Sequence, residues 1–182
     1  RKQFKPILKE AILNMERSID IEKKDCYKNP VYKKDTAEVV AANKTLNKYV
    51  QETITYDFDD RTEEVNAKKL SKWLYETDKH EVKVHSEMVA KYIKNLAKKY
   101  DTVGVKRHFK SICGNDVEVS GGTYGWKIDQ EAETANLIKV IKQGKSVKRK
   151  PEYAHRAKSR KEFDIGNTYV EVSLGEQHMW FY

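Results

Sequence analysis

The sequence predicts an α+β domain in which a small twisted antiparallel sheet packs with amphipathic helices. Apolar residues recur at helical spacing in several windows. Between those windows lie short alternating runs and hairpins, without the regular strand-helix-strand units of a parallel sheet. A third observation supplies the centre, Gly121-Gly122-Thr123-Tyr124-Gly125-Trp126-Lys127-Ile128-Asp129. Its glycines permit backbone conformations that other residues resist. Tyr124, Trp126 and Ile128 alternate like one strand face, and Asp129 is placed to cap the helical pattern that follows. Arg107 to Cys113 and Val117 to Val119 read as the arms of a hairpin expected to pair with this strand, at the centre of the sheet.

In order, Phe4, Ile7, Leu8, Ala11, Ile12 and Met15 make one apolar stripe, with Pro6 near the start, where proline is tolerated. Ser18-Ile19-Asp20-Ile21-Glu22 alternates and leads through Tyr27 into Asn29-Pro30-Val31-Tyr32, an expected extended exit. Asp35 opens a second helix through Val39, Val40, Ala42, Leu46, Tyr49 and Val50. Thr53-Ile54-Thr55-Tyr56-Asp57-Phe58 ends it and alternates as a strand should. Asp59-Asp60-Arg61 makes a turn and Glu63-Glu64-Val65 a short strand. Asn66 then caps a short helix through Lys69, Leu70, Trp73 and Leu74. His80 to Val84 is a short strand. Ser86, a simple cap without the acid of a capping box, starts a longer helix with Met88, Val89, Tyr92, Ile93, Leu96, Ala97 and Tyr100.

After Asp129, Ala132, Ala135, Leu137, Ile138, Val140 and Ile141 form the next helix, stopped by Gly144 as a left-handed cap. From Lys148 the apolar periodicity ends, and residues 148–165 read as an extended basic linker. Residues 166–182 follow as a hairpin, Thr168 to Leu174 and His178 to Tyr182 around Gly175-Glu176-Gln177. Nothing after it buries its apolar face, so it is expected to add to a sheet edge, to pair with another copy or to lack order. A weak internal echo matches Ile12-Leu13, Ser18-Ile19 and Pro30-Val31-Tyr32 to Val140-Ile141, Ser146-Val147 and Pro151-Glu152-Tyr153. If genuine, it makes residues 1–32 the tail of a preceding copy.

With 182 residues, the chain holds one ordinary domain, here residues 33–147, with fragments of neighbours on either side. The 36 Lys+Arg against 28 Asp+Glu give a net charge of +8, which favours nucleic acid, acidic membrane or the phosphodiesters of a cell wall as partners without choosing among them. Lys91, Lys94, Lys98 and Lys99 read as a solvated helix face. No run approaches the roughly 20 apolar residues of a membrane span. The chain begins in mid-pattern and stops within a strand, so it reads as a piece of something longer, and missing targeting signals carry no information.

Catalytic signals are weak. Cys26 and Cys113 read as free thiols, since one pair makes no disulfide framework. His80, His85, His108, His155 and His178 include no i,i+4 pair, and neither a metal nor a cofactor is implied. Asp57, Asp59, Asp60, Glu63 and Glu64 crowd one turn as solvated charge rather than as the paired carboxylates of a glycosidase. Gly121-Gly122 lacks the lysine and serine of a phosphate loop.

Gly166-Asn167-Thr168-Tyr169-Val170-Glu171-Val172 with Glu176-Gln177-His178-Met179-Trp180-Phe181-Tyr182 resembles the opening hairpin of a YkuD-type L,D-transpeptidase catalytic domain. The stretch from Gly121 to Asp129, with Gly144 and Pro151-Glu152-Tyr153, is similar to the peptidoglycan-binding domain that precedes it in Gram-positive bacteria. The resemblance implies an extracellular, wall-facing protein whose parent is held by a membrane anchor. It also implies that the nucleophilic cysteine belongs to a Ser-His-Gly-Cys-type motif beyond this chain. Ser111-Ile112-Cys113-Gly114-Asn115, with His108 nearby, lacks that motif's histidine and glycine. Cys113 reads instead as a half-buried thiol at a strand end, and no catalytic residue is assigned.

The implied partner is peptidoglycan, through glycan or stem peptide, with anionic wall polymers beside it. Tyr124 and Trp126 are candidates for stacking on sugar faces, against a competing reading in which Trp126 is core, packed on the helix from Ala132 to Ile141. Arg107 and Lys127 complete the candidate set as contacts to stem-peptide carboxylates. Two rivals stand beside this reading. One is a structural spacer without a ligand. The other is a nucleic-acid binder, which the dispersed basic residues and the lack of a recognition motif disfavour.

Overall fold

The computed structural model describes residues 4–24, 26, 33–161 and 163–182, in two compact units, Arg1–Val40 and Ala41–Tyr182. In the first unit the apolar stripe folds as α1 (Phe4–Leu13), which buries Ala11 and leaves Ile12, Leu13 and Met15 exposed. The expected extension of residues 18–22 is corrected: residues 18–20 are irregular and a turn begins at Ile21. The Asp20 carboxylate accepts the backbone N–H groups of Glu22 and Lys23 at 3.1 and 3.2 Å, and such local acceptors favour turns over strands. Tyr27 and Asn29-Pro30-Val31-Tyr32 lie outside the described residues, and the Pro30-Val31-Tyr32 part of the internal echo with them. Helix α2 (Ala37–Val50) starts after Thr36 rather than at Asp35. The Thr36 hydroxyl accepts from the Lys33 N–H at 2.7 Å, and its carbonyl accepts from the Val40 N–H.

The second unit is organised around the β-branched run that follows α2. Alternation makes it β1 (Ile54–Asp57), with Ile54 and Tyr56 buried, and Phe58 continues the same face. A turn at Asp59, whose φ is 72°, leads to β2 (Thr62–Val65), antiparallel to β1 with Ile54 opposite Val65. Asn66 caps α3 (Ala67–Trp73) by accepting from the Lys69 N–H, as its position in the sequence predicts. The chain then forms β3 (Leu74–Glu76), where a helix end was expected at Leu74, and pairs it with β4 (Val82–Val84).

Helix α4 (Ser86–Tyr100) buries Val89, Ile93, Leu96, Ala97 and Tyr100 at helical spacing. Ser86 is its first residue rather than its cap. His85 holds the cap position, without a side-chain cap bond. The hairpin β5 (Arg107–Lys110) and β6 (Asp116–Val119) forms as expected, but as a separate two-stranded sheet. The strand expected at the sheet centre, Tyr124 to Ile128, shrinks to β7 (Lys127–Ile128), which leads into α5 (Gln130–Gln143). Both predicted ends of α5 hold. Asp129 accepts from the Ala132 N–H, and Gly144 sits at φ 61° as the left-handed cap.

The stretch from Lys148, expected to open an extended linker, instead supplies strands to the unit. β8 (Val147–Arg149) adds to β1 in parallel, giving the sheet order β2-β1-β8, and β9 (Tyr153–His155) pairs with β7. β7 thus finds its partner downstream rather than in the 107–119 hairpin. The terminal hairpin, β10 (Val170–Ser173) and β11 (His178–Phe181), forms as read and makes its own two-stranded sheet. The fold is α+β. One core gathers Ile54, Tyr56, Phe58 and Val65 from the sheet, Leu70 and Trp73 from α3, and the apolar faces of α4 and α5. Each such side chain, fully buried, contributes about 1.5–3 kcal/mol.

Candidate functional site

Beyond the short pairing of β7 with β9, the segment 121–129 is held by contacts to the chain just past α4. Trp126 exchanges hydrogen bonds with Thr102 just past the end of α4. Its N–H donates to Thr102 Oγ1 at 2.9 Å, and its carbonyl accepts the Thr102 N–H at 2.8 Å. Ile128 N–H donates to Asp101 Oδ1 at 2.9 Å. Burial raises the Asp101 pKa, and the Ile128 N–H works against that rise. Gly125 makes the approach sterically feasible. A Cβ at this position would lie 2.6 Å from the Thr102 backbone, and φ is 138°.

Of the four candidate residues, Trp126 is core, 7% exposed. Its ring meets Tyr153 edge-on at 4.8 Å, and the Arg160 guanidinium lies 4.7 Å from its centroid. Indole Nε1 donates to the Ser159 carbonyl at 2.9 Å. Tyr124 is 40% exposed, yet its hydroxyl donates to the Asp164 carbonyl at 2.6 Å and accepts from the Lys158 N–H at 3.0 Å. Arg107 grips the Asp164 carboxylate at two points, 2.7 Å each, with its guanidinium 5.3 Å from the Tyr124 ring. The hydrogen bond from Arg107 to that carboxylate raises the arginine pKa. Lys127 is exposed on β7. The structure thus brings Arg107 and Tyr124 together on Asp164, and Arg107 already holds a carboxylate of its own chain.

A groove of about 420 Å³ lies beside this joint, between the hairpins β5–β6 and β10–β11. Phe109 and Tyr169 meet edge-on at 5.2 Å near it, and the Ile112 N–H donates to both oxygens of Glu171 at 3.1 and 3.2 Å. Cys113, expected half-buried, is exposed at the hairpin turn. Its thiol donates to Glu176 at 3.4 Å, and that carboxylate raises the thiol pKa. A thiol held protonated is a poor nucleophile, which leaves Cys113 without the activation that acyl transfer needs.

Sequence reading missed Glu133. It is fully buried on α5 and accepts from four donors: Tyr56 Oη at 2.5 Å, Arg149 Nη1 at 2.6 Å, Arg149 Nη2 at 3.0 Å and the Glu152 N–H at 2.7 Å. Burial, with the carboxylate beside it, pushes the Tyr56 hydroxyl far above the usual phenol range. The spacing Glu133, Leu137, Ile141 was the available signal, because it places a carboxylate on the buried stripe of α5.

The family described as "Putative peptidoglycan binding domain" matches residues 32–149, and the chain belongs to that family. Among solved structures, the chain is similar to the Ldtfm–avibactam carbamoyl enzyme, with 30% identity and a TM-score of 0.57 over 79% of this chain and 56% of that one. It is also similar to an Enterococcus faecium L,D-transpeptidase carrying a cysteine-to-serine substitution, with 31% identity and a TM-score of 0.54 over 80% of this chain and 56% of that one. The chain therefore spans little more than half the length of either structure. No curated protein matches it. Among the described residues, no helix is long and apolar enough to cross a membrane.

Proposed function

We propose that this chain is a noncatalytic cell-wall module of an L,D-transpeptidase, which binds or positions peptidoglycan for crosslinking by a catalytic domain of the same protein. The family match over residues 32–149 carries this reading, and the likeness to two L,D-transpeptidase structures supports it. On this reading the protein works extracellularly, in the wall of a Gram-positive cell, with its parent anchored to the membrane. The module raises the local concentration of substrate at the enzyme, an effect that needs only modest affinity.

Part of the basic charge is paired within the chain: Arg149 with the buried Glu133, and at the surface Lys148 with Asp57, Lys150 with Asp59, and Lys69 and Lys99 with Glu63. Pairing of this kind weakens the case for a nucleic-acid surface. One observation favours the spacer reading instead. Arg107, Tyr124 and Trp126, the residues best suited to hold sugar or peptide, are engaged with Asp164, Ser159 and Arg160.

Incubating the chain with purified sacculi, with and without their anionic polymers, separates the readings. The wall-module reading expects retention on both preparations, with no new crosslinks in the muropeptides released afterwards. Passage through both unretained leaves the spacer, and new crosslinks contradict a noncatalytic role.

A further inference from the structure

The chain leaving β9 has the composition of a basic, solvated linker, and a linker of that kind lets whatever it joins turn freely. In the fold it is fastened at several points instead. Ala157 and Asp164 are buried, and Arg160 lies half-buried between them. The Arg160 guanidinium donates to the carbonyl of Tyr100, the last residue of α4, at 2.9 Å and to the Tyr153 hydroxyl at 3.1 Å. It lies 4.7 Å from the Trp126 ring centroid and 5.2 Å from that of Phe58. A cation in this place answers the unpaired carbonyls and the negative end of the helix. Indole Nε1 of Trp126 holds the neighbouring residue by the Ser159 carbonyl.

Tyr124 closes the fastening. Its hydroxyl accepts from the Lys158 N–H at 3.0 Å and donates to the Asp164 carbonyl at 2.6 Å, so a single oxygen ties the two together. Arg107 grips the same Asp164 by its carboxylate. The hairpin that follows is hooked as well, through the Ile112 N–H on Glu171 and through Phe109 edge-on to Tyr169.

We propose that the chain leaving β9, fastened at Lys158, Ser159, Arg160 and Asp164, is a rigid strut rather than a tether, and that the Tyr124 hydroxyl is its clasp. The surface formed by β5–β6 and the 121–126 loop then sets the orientation of the domain that the terminal hairpin opens. The strut stands on the contacts of this chain, whereas naming that domain as the catalytic part of a transpeptidase rests on the wall-module reading. Domains of one chain turn against each other unless their joint is extensive, and fastening at successive residues removes that freedom. The consequence is geometric. A flexible tether raises effective concentration over every position within its reach, whereas a strut lets the enzyme meet substrate only at a fixed distance and angle from the module. Tyr124 and Arg107 are thus positioning residues, and their engagement with Asp164 is their function.

The test combines residual dipolar couplings with amide exchange on the intact chain. With a strut, the couplings of residues 169–182 fit the same alignment tensor as those of α4 and α5. A separate tensor, or couplings averaged toward zero in the hairpin alone, overturns the proposal. Tyr124→Phe removes the clasp oxygen and keeps the ring beside Arg107. It should speed exchange of the Lys158 amide by about tenfold, the scale of one lost hydrogen bond, with exchange in α5 unchanged. An unchanged Lys158 rate removes Tyr124 as the clasp. Tyr124→Phe combined with Asp164→Asn should lower the hairpin's order parameters from about 0.85 to below about 0.6 while α4 and α5 hold theirs. A hairpin still rigid in that folded variant overturns the fastening as the source of orientation. If the double variant unfolds, the wild-type tensor and the Lys158 rate decide. Retention on sacculi, measured in parallel, separates the two readings. Retention with a separate tensor overturns the strut alone, whereas a shared tensor without retention keeps the strut and removes the wall module.

Discussion

Arg107 and Asp164, 57 residues apart, meet in a two-point ion pair with both N–O distances at 2.7 Å and with 12% and 9% of their side chains exposed. The pair joins the start of β5 to the chain that enters the terminal hairpin, with Tyr124 bonded to the same aspartate's carbonyl. Removing one partner leaves a nearly buried charge without its counterpart. Asp164→Ala should therefore destabilise the protein by about 3 kcal/mol in urea denaturation, and Arg107→Ala by a similar amount. The double variant should cost less than the sum, by about 1–3 kcal/mol. Additive costs would mean that the pair is not coupled.

Gly125 is placed to be irreplaceable. Gly125→Ala sets a methyl 2.6 Å from the Thr102 backbone at φ 138° and should cost about 1–3 kcal/mol. Gly175→Ala is its control, since no heavy atom lies within 4 Å of a Cβ there. Thermal melts of the two variants should separate clearly.

Glu133 carries the polar load of the core. Glu133→Ala leaves Arg149 and the Tyr56 hydroxyl without their shared acceptor, and it should cost about 3–5 kcal/mol. Hydrogen exchange should then rise first in β8, which Arg149 ties to α5. An unchanged β8 would show that the parallel pairing with β1 holds that strand by itself.

The Glu63 carboxylate predicts acid sensitivity. Its pKa is lowered from 4.5 to about 2, chiefly by the hydrogen bond from Lys99, with Tyr100 and Lys69 also donating. A group whose folded pKa is depressed stabilises fully above its unfolded value and loses that contribution as pH falls through the folded one. Stability should therefore decline between pH 4.5 and about 2, and Glu63→Gln should flatten that part of the profile. The carboxylate is partly exposed, so the effect is modest and shrinks in salt. An unaltered acid profile in the variant would remove Glu63 as its source.

Local signals were enough to place most helices and turns. Asn66, Asp129 and Gly144 cap as their types predict, and both hairpins form where alternation and turn residues place them. What stayed hidden depends on partners far along the chain. β8 lies in a basic run that looks like a solvated linker, because Arg149 belongs in a core only once Glu133 neutralises it. β7 looks like the centre of a sheet until β9, three residues long, supplies its partner. Of the four candidate site residues, the aromatic content of Trp126 was legible, but its burial under Arg160 was not, since a cation 34 residues away gives no periodic signal. The groove combines two hairpins that were each visible, and their approach to one another was not.

The most direct measurement is a co-sedimentation isotherm of the intact chain on sacculi stripped of their anionic polymers, at low and physiological salt. The wall-module account predicts saturable binding that persists at the higher salt. Binding that vanishes with the polymers or with added salt would mean that net charge alone attracts the chain, and the account would fail.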